Sequence, residues 1–145
     1  MKVIHLISGG DSGGAKTHVL SLLRNLNETI TAQLVCFRDG PFAQEARSLG
    51  IPVEIMGGNN IPRLRRQLTA YIKEGGYQLI HCHGSRANMV GALLRGSTGL
   101  PVVSTVHSDY KLDYMGRPFA RLTYRVRSIH RSHVLSWRHA MRKSV

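Results

Sequence analysis

Short apolar runs alternate with segments whose apolar positions recur every three to four residues, and the alternation continues past residue 100. KVIHLIS, Lys2 to Ser8, predicts a strand, and Gly9-Gly10-Asp11-Ser12-Gly13-Gly14 predicts the turn that ends it. Val19, Leu20, Leu22, Leu23 and Leu26 then carry helical spacing across Ala15 to Leu26. ITAQLVCF, Ile30 to Phe37, is a second strand; Pro41 opens a helix through Leu49, which Gly50 closes. Ile51 to Met56 makes a third strand. Beyond Gly57-Gly58-Asn59-Asn60, Pro62 starts a helix that runs to about Glu74, where Gly75-Gly76 stops it. YQLIHCH, Tyr77 to His83, predicts a fourth strand, Ser85 to Arg95 a helix, and VVSTVH, Val102 to His107, a fifth strand after Pro101. Gly116 to about Ile129 suits a basic amphipathic helix, and His133 to Trp137 a sixth strand.

Strands that alternate with helices, several of them apolar at every position, imply a mostly parallel sheet covered on both faces. The expected fold class is therefore α/β, a doubly wound, Rossmann-like sheet. The 145 residues suit one such domain, with no internal repeat and no low-complexity linker. In sheets of this kind ligands bind outside the carboxyl ends of the strands, so the loops there are the place to look for chemistry.

Composition sharpens the picture in two ways. Hydrophobic residues make up 42% and charged residues 19%, a globular balance, and two cysteines, Cys36 and Cys82, are too few for a disulfide framework. Both sit in apolar runs and read as reduced core thiols of a cytoplasmic protein. The opening MKVIHLISGG is too short for a secretory signal, and no window is apolar enough to span a bilayer. The net charge of +12 is the unusual feature. Asp113 is the last acidic residue, and eight basic residues follow it. A basic surface of this kind can be solvated, or can face nucleic acid, anionic lipid or an acidic partner.

The glycines at 9 to 14 allow a tight turn into a helix N-terminus, a geometry that can hold phosphate or a hydroxyl-rich ligand. Their spacing is not a dinucleotide fingerprint, because Asp11 and Ser12 follow Gly9-Gly10 and Phe37-Arg38, not an acid, ends the second strand. It is not a phosphate-binding Walker loop either, since Lys16 follows Gly14-Ala15. Period-two alternation puts His81 and His83 on one side of their strand and Cys82 on the other. A zinc site of His81, His83 and His107 lacks a fourth ligand of suitable type, so no metal and no cofactor are expected. His107 should emerge at the carboxyl edge, ahead of Ser108-Asp109. Asp109 and Asp113 read as solvated loop carboxylates. No serine sits in a nucleophile elbow, and neither cysteine has a base beside it. Aromatic residues are only 6%, which disfavours a base-stacking platform for nucleic acid.

Taken in order, KVIHLISGGDSGGAKTHVLSLLRNL, DGPFAQEARSLGIPVEIM, YQLIHCHGSRANMVGALL and PVVSTVHSD resemble the N-terminal, acceptor-side half of a family-four retaining glycosyltransferase. Enzymes of that family have the GT-B architecture, two Rossmann-like domains facing a cleft. The resemblance covers roughly residues 1 to 115. It implies that Gly13 and Gly14 lie near the donor's phosphates and that His107 stands beside the reacting sugar. It further implies that His83, Arg86 and, after His107, Asp109 help line the acceptor side. Where relatives often carry an acid shortly after the glycine pair, this chain has Lys16.

The same resemblance implies transfer of a sugar from a nucleotide-diphosphate sugar to an acceptor hydroxyl with retention, without a metal. The acceptor would be lipid-linked or a saccharide. The family's second domain, which holds most of the donor, has no counterpart in these residues, so the isolated chain is expected to be inactive and open to self-association. Arg117, Arg121, Arg125 and Arg127 would place basic charge against an anionic membrane, at the inner face of which the protein would sit peripherally. The alternative is a non-catalytic basic module for nucleic acid or another anionic partner, marked by affinity that falls steeply with salt.

Overall fold

The computed structural model describes residues 1–10, 14–26 and 29–105. Over these the chain runs β1 (Lys2–Ile7), α1 (Gly14–Arg24), β2 (Thr31–Cys36), α2 (Pro41–Ser48), β3 (Val53–Ile55), α3 (Ile61–Glu74), β4 (Leu79–His83), α4 (Ser85–Thr98) and β5 (Val102–Thr105). The strands form one parallel sheet in the order β3-β2-β1-β4-β5. This is the doubly wound, Rossmann-like α/β arrangement that the alternating pattern predicts.

Each face of the sheet has its own core. Ile4 and Leu6 of β1, Val35 of β2, and Ile80 and Cys82 of β4 pack with Leu64, Leu68 and Ile72 of α3 and with Ala87, Val90 and Leu94 of α4. On the other face Ile7, Leu34 and Cys36 meet Val19, Leu20 and Leu23 of α1 and Phe42, Ala43 and Ala46 of α2. The two cysteines are buried on opposite faces. In α3 the buried positions fall at intervals of four, a single stripe, while Arg63, Arg65 and Arg66 are exposed as ordinary surface. Each fully buried leucine or isoleucine of that stripe contributes about 1.5–3 kcal/mol relative to exposure.

Local chemistry explains the element ends. Asn60 caps α3, its side-chain oxygen accepting from the Arg63 amide at 2.9 Å, with Pro62 in the first turn. The helix expected to stop at Arg95 runs on to Thr98. Gly96 is accommodated within it, and Gly99, at φ +72°, supplies the left-handed cap. The first four strands are one to three residues shorter than their apolar runs, and the end of the fifth run lies outside the described residues. The runs include flanking residues that still pack on the cores: the Phe37 and Met56 amides donate to the Ile7 and Cys36 carbonyl oxygens just past the assigned strands, and Ile51 packs ahead of β3. The helix expected from Gly116 and the strand expected from His133 lie outside the described residues.

The order of strands sets a switch point between β1 and β4. From their carboxyl ends α1 leaves toward one face of the sheet and α4 toward the other, which opens a crevice between the two outgoing loops.

Candidate functional site

The walls of that crevice are the turn after β1 and the turn after β4. Gly9 has φ +83°, and a Cβ there would stand 2.5 Å from the Arg38 carbonyl oxygen, so the turn requires glycine on both counts. The Arg38 guanidinium lies against Gly10, in the space a Cβ there would take. A cation from the end of β2 is thereby set over the glycine turn. Behind it α1 begins at Gly14 and has no acidic residue in its first turn, so the positive end of its dipole is not offset within the helix. Lys16 in the first turn of α1 pairs with Glu45 of α2. The carboxylate near this loop therefore comes from the neighbouring helix.

Across the crevice, Arg86 in the first turn of α4 donates from Nη2 to the Gly58 carbonyl oxygen at 2.8 Å, and its guanidinium stands 5.6 Å from the centre of the Phe37 ring. It ties α4 to the loop after β3 and fixes one side of the mouth. His83 is the last residue of β4, where the apolar run ends, and is 1% exposed.

Beneath the mouth the sheet carries a group of imidazoles. β1 and β4 pair so that His5 lies opposite His81, and Ile7 opposite His83. With Ile4, Leu6, Ile80 and Cys82 in the α3/α4 core, alternation directs His5, His81 and His83 to the α1 face. His5 Nδ1 and His83 Nε2 are 3.2 Å apart and share a hydrogen bond; one ring donates and the other accepts according to tautomer. The His5 and His83 rings are nearly parallel, and the His81 centroid is 4.2 Å from that of His83 and 5.0 Å from that of His5. His81 Nε2 bonds Thr105 Oγ1 of β5 at 2.8 Å. His18 of α1 completes the surroundings, its ring 6.4 Å from His83.

Burial governs the charge of this group. His5 is 2% exposed, and desolvation, helped by the nearby His81, lowers its pKa to about 3, so it stays neutral throughout the physiological range. A nitrogen of each of the three rings lies within 4.8 Å of the others. The third imidazole beside His81 and His83 is thus His5. The sequence grouping used His107, which lies outside the described residues with Gly13 and Asp109; Gly14 opens α1. Sequence reasoning missed His5 because it stands in the apolar run of the first strand, and only the pairing of β1 with β4 brings it to His81, 76 residues away. Among the described residues no helix is long and apolar enough to cross a membrane.

Comparison with known proteins gives this arrangement a class. The HepE protein of Anabaena, solved in complex with UDP-glucose, shares the fold: its TM-score is 0.72 at 23% identity, over 85% of this chain and 34% of that one. A glycosyltransferase from Rickettsia africae superposes at 0.64 with 15% identity, over 81% of this chain and 34% of its own. The fold is that of a GT-B glycosyltransferase lobe. In sequence, the D-inositol 3-phosphate glycosyltransferase 1 of Catenulispora acidiphila is 30% identical over 114 residues, 69% of this chain and 27% of that protein. The model of Glycosyltransferase Family 4 matches residues 12–143, and the chain belongs to that family. It spans between a quarter and about a third of the length of these relatives.

Proposed function

We propose that these residues form the acceptor-side lobe of a glycosyltransferase that moves a hexosyl group from a nucleotide-diphosphate sugar to an acceptor hydroxyl with retention. The donor would be held chiefly by a second lobe beyond this chain. The observation that carries the reading is the family match across residues 12–143 of a chain that spans about a third of its relatives' length. The HepE complex with UDP-glucose supports a nucleotide-sugar donor.

Transfer of this kind demands that charge on the departing diphosphate be stabilised and that the acceptor be held in line with the anomeric carbon. Amides of Gly13 and of Gly14, the first residue of α1, would meet the first demand, with Arg38 against Gly10 nearby. His107, in the segment that follows β5, orients the donor sugar. Arg86 and Asp109 serve the acceptor side. His83 is too deeply buried to touch an acceptor and supports that side from beneath, through the turn at Gly84. The reaction uses no metal at the diphosphate. The acceptor is a saccharide or a lipid-linked molecule, and Arg117, Arg121, Arg125 and Arg127 hold the protein peripherally against the anionic inner face of the membrane in the cytoplasm.

Calorimetric titration of this chain with UDP-glucose tests the division of labour. The expected result is no saturable binding at millimolar donor; a micromolar dissociation constant would overturn the two-lobe reading. Joining the chain to the donor lobe of a relative should produce donor turnover that His107→Ala abolishes.

A further inference from the structure

The imidazoles under the crevice have a geometry that the sugar-transfer reading does not use. We propose that His5, His81 and His83 form a binding site for one divalent transition-metal cation of borderline softness, such as Zn2+. Two nitrogens on a tetrahedral zinc with bonds of about 2.0–2.1 Å stand about 3.3–3.4 Å apart. His5 Nδ1 and His83 Nε2 are already 3.2 Å apart, on rings held by the backbone of adjacent paired strands. The third ring's nitrogen lies within 4.8 Å of both, and a small turn of His81, the half-buried member, closes the set.

The supporting groups are also in place. Thr105 Oγ1 anchors the His81 ring, as outer partners do for ligating histidines. Binding requires a tautomer change and a turn of the rings. The proton in the His5–His83 hydrogen bond moves to the far nitrogen of the ring that carries it, and a tilt of the two rings turns the freed lone pairs from each other toward the cation. All three ligands are neutral, so the bound site keeps a charge of two. Its remaining coordination position suits water or an oxyanion.

The test uses the whole 145-residue chain, stripped with chelator and titrated with Zn2+ by calorimetry and with Co2+ by visible absorption. The expected result is one equivalent bound, with the intense visible bands of four-coordinate cobalt. His81→Gln should weaken binding by at least about tenfold, the smallest effect that loss of even an outer partner gives. Replacing His130, His133 and His139 together by Gln should leave the bands intact. Absence of the bands in the unaltered chain overturns the proposal. So does a site that survives His81→Gln in a folded protein, or one that disappears with the three later histidines. Should His81→Gln fail to fold by circular dichroism, the spectra of the unaltered chain and of the three-histidine variant decide alone. None of these readings involves sugar transfer, so failure here leaves the proposed function standing.

Discussion

The two faces of the sheet solve the same packing problem differently. Under α3 and α4 the central strands present Ile4, Leu6, Val35, Ile80 and Cys82, a continuous apolar layer. Under α1 the strands β1 and β4 present His5, His81 and His83 beside the apolar Ile7. Strands of a parallel sheet covered on both sides are normally apolar on both. Placing imidazoles there costs solvation that only mutual hydrogen bonding, or a ligand, offsets. The α3/α4 face is therefore built for stability, and the α1 face, next to the switch point, carries groups whose chemistry depends on conditions.

The largest effect should come from the apolar face. Leu68→Ala removes a fully buried side chain and should lower unfolding free energy by about 2–5 kcal/mol, equally at pH 7 and pH 4, in urea denaturation. The imidazole face should respond to acid instead. The folded-state pKa of His5, about 3, lies below the ordinary value of 6.5, so the unfolded chain takes up the proton first. The contribution is complete above pH 6.5 and is lost as pH falls toward 3, amounting to about 3 kcal/mol between pH 7 and pH 4 in the metal-free chain. His5→Leu should flatten that slope; identical slopes in the two proteins would erase the contrast between the faces.

A smaller effect probes how tightly the apolar face is closed. A Cβ on Gly91 of α4 would meet Cys82 Sγ at 2.3 Å and Val102 Cγ1 at 3.2 Å. Gly91→Ala should therefore destabilise by about 1–2 kcal/mol despite alanine's better helix propensity, and adding Cys82→Ala should recover part of that loss. The smallest effect belongs to the partly exposed Lys16–Glu45 pair that links α1 to α2. Lys16→Met should cost less than about 1 kcal/mol, and less still in high salt.

Much of the fold was readable before any coordinates. Pro41, Pro62, Gly50 and Gly75-Gly76 mark helix ends by local stereochemistry, and the described elements fall where those marks put them. Arg86 is singled out only by the family resemblance; the structure puts it in the first turn of α4, bonded to the Gly58 carbonyl oxygen. The strand end at His83 is legible in the run YQLIHCH, but its burial is not, because that depends on the pairing of β4 with β1. The reach of Arg38 over Gly10 had no sequence signal, since nothing in Phe37-Arg38 says which loop its guanidinium will cross.

Periodicity, glycine and proline act within a turn or two of chain, and for that reason the amino-acid order by itself determined the succession of strands and helices and the two-sided burial of the sheet. Which strand lies beside which is decided by contacts between distant segments, and these form only when whole helices pack on whole sheets. That choice set β4 against β1, brought His5 to His81 and His83, and opened the crevice above them.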